Sequence, residues 1–172
     1  MTSSAWQAPG DTDPLTDAVA RCYAHLARRE HSVAELRARL VRARIAPETI
    51  EEALAIVSEQ GYLNDARYAH LLAEDRRGID GWGAERIRAR LERAGIDASL
   101  IEATLEPFDA SSERSAALAL LRRRFPRAPQ SDAERQRAFG VLIRQGYDSD
   151  VAYDAIRDHE RAEREAARAR LG

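Results

Sequence analysis

The sequence contains no lysine and a single cysteine, Cys22, among its 172 residues. One cysteine excludes a disulfide framework and a metal site built from cysteines. No apolar run approaches the roughly 18 residues that a membrane-spanning helix needs. Residues 1–13 have neither the basic region nor the apolar region of a secretory signal. We therefore expect a cytoplasmic protein without a membrane partner.

Signatures of catalysis and of cofactor binding are also missing. Gly78, Gly81 and Gly83 cluster, but no strand precedes them and no Gly-Lys-Ser/Thr follows, as a phosphate-binding loop requires. The four histidines are too far apart in the sequence to have the spacing of metal ligands. The carboxylates fall on segments that read as exposed helices, where nothing would tune them for acid–base work. We predict a protein that is not an enzyme and binds no cofactor or metal.

Apolar residues recur at helical spacing along most of the chain, and the alternation typical of strands never persists. The spacing predicts a first helix over residues 15–26. Ser32 and Glu35 form a capping box that begins a second helix. Pro47 suits the first turn of a third helix, and Gly61 ends that helix. These signals together predict a unit of three helices.

The sequence repeats itself at an offset of 51 residues. This offset places residues 36–40 on residues 87–91, and a second offset of 51 places Gly95 on Gly146. Apolar, glycine and cap positions agree together, which indicates a true repeat. Because a unit of about 45 residues is marginal alone, we expect each unit to bury its apolar surface against a neighbour.

The sequence therefore predicts an all-α fold, an elongated array of three tandem three-helix repeats. The predicted divisions are a flexible tail at 1–14, repeat one at 15–63, repeat two at 64–109, repeat three at 110–160, and a charged extension at 161–172.

Charge is segregated along these repeats, although the formal net charge is only −2. Residues 21–44 carry seven arginines and two acids, whereas residues 48–65 carry five acids and no arginine. Residues 114–144 carry eight arginines and two acids, whereas residues 148–160 carry five acids and one arginine. First and second helices are thus basic, and stacked repeats would align them as a stripe suited to a polyanion. The alternative is a set of solvated helix faces with i,i+4 ion pairs.

Two further features have both a structural and a functional interpretation. Residues 122–127 form the densest basic cluster, which could complement a helix dipole or contact phosphates and acidic grooves. The most distinctive string is residues 61–69, which we interpret as a structural joint between two repeats. Its key residues are Gly61, Tyr62, Leu63, Asn64, Asp65 and Tyr68.

The joint, together with three weaker motifs, resembles the RecX family, which regulates the bacterial recombinase RecA. The weaker motifs are Arg28-Arg29 followed by Ser32-x-x-Glu35, a glycine-containing link before Ile87, and Gly95 before the next helix. The resemblance covers about residues 15–160. Repeat three matches least, since it has no counterpart of the Tyr-Leu-Asn-Asp string.

The resemblance implies a curved stack of repeats, expected to be a monomer, that binds in the groove of the RecA–single-stranded-DNA filament. Such binding would inhibit RecA ATPase, strand exchange and co-protease activity, and so act in recombination, DNA repair and the SOS response. Single- and double-stranded DNA are further expected partners. The candidate contacts are Arg28, Arg29, Arg37, Arg39, Arg42 and Arg44 in repeat one, Arg76, Arg77, Arg86, Arg88 and Arg90 in repeat two, and Arg122, Arg123, Arg124 and Arg127 in repeat three.

Two alternatives to this function stay open at this point. The first is a helical nucleic-acid-binding module that acts without RecA, for which a steep salt dependence is expected. The second is a scaffold that binds another protein through apolar seams or acidic helices.

Overall fold

The structure, a computed structural model, describes residues 13–170. Within this range the chain forms nine α-helices and no β-strand, which confirms the predicted all-helical class. A short π-helical segment, Arg76–Asp80, follows the fourth helix. The helices are α1 Pro14–Leu26, α2 Val33–Arg42, α3 Pro47–Glu59, α4 Asp65–Asp75, α5 Ala84–Arg93, α6 Ala98–Leu105, α7 Ala110–Arg124, α8 Asp132–Gln145 and α9 Ser149–Ala169.

The first helix begins at Pro14 and the last helix ends at Ala169, close to the two ends of the described range. The predicted tail, 1–14, lies outside the described residues except for its last two, and Pro14 already belongs to α1. The predicted extension begins inside α9, which continues without a break to Ala169. Among residues 13–170, no helix is both long and apolar enough to cross a membrane.

Helix ends form where the sequence signals place them. The Ser32 hydroxyl accepts a hydrogen bond from the Glu35 backbone N–H at 3.0 Å, and this cap begins α2. Pro47 occupies the first turn of α3, where a missing N–H leaves no hydrogen bond unmade. The carboxylates of Asp97 and Asp148 cap α6 and α9 in the same way, at positions 51 residues apart.

The described part of the chain divides into two compact units, residues 13–68 and residues 69–170. In the first unit, helices α1 to α3 enclose a core that includes Cys22, Leu36, Leu40 and Leu54. Cys22 is therefore a buried small residue, as its place on the apolar stripe predicts.

The second unit begins inside α4 and continues through α9. Helix α5 buries Ile87 and Leu91 completely, in register with the buried leucines of α2. Helices α7, α8 and α9 share a core that includes Leu121, Leu142 and Ile156. The apolar spacing of each helix thus decides which of its faces is buried.

The 51-residue offset recurs in surface contacts as well as in the core. Arg37 on α2 makes a bidentate ion pair with Glu51 on α3, with N–O distances of 2.7 and 2.8 Å. Arg88 on α5 makes the equivalent bidentate pair with Glu102 on α6. We call this place, where second and third helices of a repeat touch at the surface, the crossing position. Its recurrence shows that the offset reflects equivalent structure.

The start of a second helix is held by the first helix of the following repeat. The Val33 backbone N–H, in the first turn of α2, donates to the Asp65 carboxylate on α4 at 2.8 Å. The Ala84 backbone N–H, in the first turn of α5, donates to the Glu113 carboxylate on α7 at 3.2 Å. Each carboxylate satisfies a backbone donor that the helix itself leaves unpaired.

Repeats two and three also join through the backbone. The Gly83 N–H donates to the Gln145 carbonyl at 2.8 Å, and the Glu85 N–H donates to the Gly146 carbonyl at 3.2 Å. A Cβ on Gly83 would overlap the Gly146 carbonyl group, and a Cβ on Gly146 would overlap Arg86. The two backbone segments can therefore approach each other this closely only because both positions are glycine.

Candidate functional site

Four arginines surround His25 near the end of α1. Burial lowers the pKa of His25, and the positive charges of Arg39, Arg28, Arg21 and Arg29 lower that pKa further. The side chains of Arg28 and Arg39 make no hydrogen bond or ion pair with any other residue in the range 13–170. This end of the first unit therefore has a positive potential that is only partly compensated by its own acids.

The remaining candidates of repeat one fall into two groups. Arg29 pairs with Glu35 at 3.0 Å, and Arg37 occupies a crossing position. Arg42 and Arg44, at the end of α2, are exposed and have no partner in the described part of the chain. The φ angle of Arg44 is 60°, a left-handed conformation that residues other than glycine rarely adopt.

All five candidates of repeat two are engaged within the protein. Arg76 pairs with Asp80 at 2.6 Å, Arg88 occupies a crossing position, and Arg90 also has contacts of its own. Arg86 donates to the Arg144 carbonyl at 3.1 Å.

Arg77 is the most deeply engaged of these arginines. Its side chain is only 16% exposed and forms an ion pair with Glu113, whose side chain is 8% exposed. The same guanidinium donates to the Trp82 carbonyl at 3.2 Å and to the Ser112 hydroxyl at 3.3 Å, and lies 4.8 Å from the ring centre of Phe108. The Arg77 guanidinium is therefore engaged within the joint between repeats two and three, and it is not available to an outside partner.

The four candidates of repeat three behave in the opposite way. They follow one another at the end of α7 and just beyond it, and all are exposed. None of their side chains has a hydrogen bond or an ion pair with another residue between 13 and 170. These residues are Arg122, Arg123, Arg124 and Arg127.

The joint after α3 has the contacts of a structural element. The Asn64 side chain caps α4 by accepting from the Arg67 N–H at 2.9 Å. Leu63 and Tyr68 are buried, whereas Tyr62 is 56% exposed. Gly61 has a φ of 77° and follows the end of α3.

Two features of the second unit escaped the sequence analysis. The Trp82 ring has two guanidinium groups over it, with ring-centre distances of 4.2 Å to that of Arg86 and 5.2 Å to that of Arg76. Arg164 lies on the last part of α9 and Arg170 follows the end of that helix; both lie beyond residue 160, where the predicted repeats end, so no repeat pattern indicated them. Within the described residues, no group of His, Cys, Asp or Glu is arranged to hold a metal ion.

Comparison with known proteins places these features in a family. Residues 18–55 match the family model described as RecX, first three-helix domain, and residues 64–105 match RecX, second three-helix domain. The Regulatory protein RecX of Deinococcus radiodurans is 39% identical over 140 residues, which cover 81% of this chain and 67% of that protein. The Regulatory protein RecX of Stenotrophomonas maltophilia is 36% identical over 81% of this chain and 85% of that protein.

Solved structures agree on the fold. The crystal structure of RecX from Lactobacillus salivarius superposes with a TM-score of 0.75 at 17% identity, covering 86% of this chain and 97% of that one. A second crystal structure of a regulatory protein RecX gives a TM-score of 0.70 at 23% identity. Together with the sequence matches, these similarities confirm the resemblance noted above: this chain belongs to the RecX family of regulatory proteins.

Proposed function

We propose that this protein binds in the groove of the RecA–single-stranded-DNA filament and thereby inhibits RecA ATPase, strand exchange and co-protease activity. The observation that carries the proposal is the separation of the candidate arginines into engaged and unengaged groups. The unengaged ones are Arg28, Arg39, Arg42 and Arg44 in the first unit and Arg122, Arg123, Arg124 and Arg127 in the second. We call them the free arginines.

An unengaged guanidinium is the better contact for a physical reason. Arg37 and Arg88 already make bidentate pairs with carboxylates, so binding an outside anion would require breaking those pairs. The free arginines lose only hydration and side-chain freedom when they meet a phosphate or an acidic protein surface.

The two sets of free arginines lie in separate units of one chain. Once one set is bound, the other set encounters the same filament at a high effective concentration. Two weak electrostatic contacts can therefore give useful affinity without an apolar interface. This mode of action involves binding only, with no catalytic step by this protein, and needs no cofactor.

The test of the function is single-strand-dependent ATP hydrolysis by the cognate RecA, measured while this protein is added below stoichiometry. Inhibition at a small fraction of the RecA concentration supports the proposal. Unchanged hydrolysis by a folded protein overturns it. If bare single strands bind as tightly as RecA-coated ones, the protein is instead a nucleic-acid-binding module that acts without RecA.

The test of the contact residues reverses the charge of Arg122, Arg123 and Arg124 to Glu together. We expect weaker filament binding, a shallower salt dependence by about 0.7–0.9 per lost phosphate contact, and little change in melting temperature. The control variant reverses Arg93, Arg137 and Arg144, which are exposed and lie outside the free arginines. The control variant changes the net charge by the same amount. An equal loss of filament affinity in both variants would therefore contradict a specific contact by Arg122, Arg123 and Arg124.

A further inference from the structure

The third crossing position is occupied by two aromatic rings. An offset of 51 from Arg88 and Glu102 leads to Phe139 on α8 and Tyr153 on α9. Their ring centres lie 4.6 Å apart and their planes are tilted by 32°. Repeats one and two thus have a bidentate ion pair where repeat three has a stacked aromatic pair.

The fold does not require rings at this place. Ion pairs serve the two equivalent positions, and the Tyr153 residue is 55% exposed. An exposed aromatic surface gains little from folding, because much of it stays in water. Exposed apolar surface next to polar residues is a common mark of a binding site.

The rings form one wall of a cleft of about 240 Å³. Ile156 forms its floor of buried apolar surface, and the side chains of Arg135 and Arg157 line it as well. This volume is below that of ordinary drug-sized pockets, about 300–1,000 Å³. A cleft of this kind fits a flat ring system that can stack on an exposed tyrosine.

A second groove, of about 560 Å³, lies next to the cleft, and the ion pair of Arg135 with Glu160 lines both. The side chains of three arginines of this groove have no hydrogen bond or ion pair within residues 13–170: Arg127, Arg164 and Arg170.

The acids of the groove are already satisfied. Glu160 pairs with Arg135 at 2.6 Å, and Glu163 accepts a hydrogen bond from the Ala128 backbone N–H. The charge left available in the groove is therefore positive, which suits phosphates.

We propose that repeat three holds a single-stranded nucleic acid, with one base stacked on Tyr153 and Phe139 and the adjoining phosphates on Arg127, Arg164 and Arg170. Aromatic platforms beside a positive groove are the usual means of binding single strands without sequence preference. Single-stranded DNA is already an expected partner; what the proposal adds is the place where a strand binds and the aromatic side chains that hold a base there. It also predicts preference for single strands over duplex, whose bases are already stacked.

The experiment measures the fluorescence anisotropy of a labelled oligothymidine of about 20 nucleotides, titrated with the full chain. Tyr153→Ala weakens binding about 5-fold to 150-fold, the range for loss of one base–aromatic stack. Tyr153→Phe keeps the ring and binds like the original protein. Tyr62→Ala, which removes a tyrosine of similar exposure from the other unit, leaves the affinity unchanged.

A second arm tests the phosphate groove. Arg164→Ala lowers the slope of log affinity against log salt by about 0.7, the value for one phosphate of a single strand. Circular dichroism of each variant establishes that it is folded.

Three results would overturn the proposal. One is equal oligothymidine affinity for Tyr153→Ala and the original protein, and another is equal affinity for single strand and duplex. The third is a Tyr153→Ala variant that loses affinity for RecA filaments alone, which would make the cleft a protein contact. Because the oligothymidine assay contains no RecA, its outcome and that of the ATPase assay are independent.

Discussion

The carboxylate of Glu113 makes contacts whose removal should strongly destabilise the second unit. It binds the Arg77 guanidinium and accepts the Ala84 N–H at the start of α5. Truncation to alanine would leave a guanidinium that is 16% exposed without its counter-ion, and a helix N-terminus without its cap. Both defects arise at the joint between repeats two and three.

The magnitude follows from burial. Removing one partner of a buried ion pair costs about 3–5 kcal/mol, because the remaining charge is left without compensation. Solvent reaches part of Arg77, and its cation–π contacts with Phe108 and Tyr147 persist, so we expect the lower half of that range, about 3–4 kcal/mol. Since small domains unfold at a cost of about 5–15 kcal/mol, this is a large fraction of the total.

Urea unfolding followed by tryptophan fluorescence measures this change. A Trp6→Phe background leaves Trp82, whose carbonyl accepts from Arg77, as the reporter of the joint. The double variant Arg77→Ala/Glu113→Ala should lose less than the sum of the single variants, by about 1–3 kcal/mol. Additive losses, or a Glu113→Ala loss below about 1 kcal/mol, would refute the reasoning. Glu102→Ala, which breaks an exposed pair, is the control and should unfold close to the original protein.

Two further predictions concern backbone geometry and pH. Gly146→Ala should lower the free energy of unfolding by about 2–5 kcal/mol, because a left-handed φ of 87° and overlap with Arg86 act together. Gly61→Ala should lower it by only about 1–2 kcal/mol, because Gly61 has a φ of 77° but open space around it. Equal costs would contradict the overlap. The hydrogen bond with Arg114 lowers the pKa of Asp158 below its ordinary value of 3.8. The pair therefore stabilises the fold fully at pH values above 3.8, and this stabilisation is lost as the pH falls through the lowered pKa. Asp158→Asn should therefore lower the urea midpoint at pH 7, and the difference should close progressively below pH 3.8; a difference that persists in strong acid would contradict the sign.

The sequence predicts helix ends better than it predicts the role of each charge. Helix starts depend on local backbone contacts, as at Ser32, Pro47 and Asp97, so the residues nearby in sequence are enough to predict where a helix begins. Arg77 is a different case. It follows α4 as Arg28 follows α1, yet it lies inside a joint with Glu113, 36 residues further along the chain. Tertiary packing, and not local sequence, determines that Arg28 is exposed to solvent whereas Arg77 is largely buried.

One long-range signal was nevertheless present in the sequence. Arg37 and Arg88 are each followed by a glutamate 14 residues later, and these are the partners found at the crossing positions. The same spacing connects Phe139 with Tyr153. Comparing pairs of positions between repeats, rather than single positions, would have identified both the engaged arginines and the aromatic pair.

The back-to-back glycines limit how this chain can be shortened or extended by design. Gly83 belongs to repeat two and Gly146 to repeat three, and the backbone of each donates or accepts across the joint. A chain cut after α6 would leave the Gly83 and Glu85 amides without these acceptors. A duplicated repeat would need both glycines in register, or its added side chains would hold the two backbones apart. Both glycines must therefore be kept in any redesign of this joint.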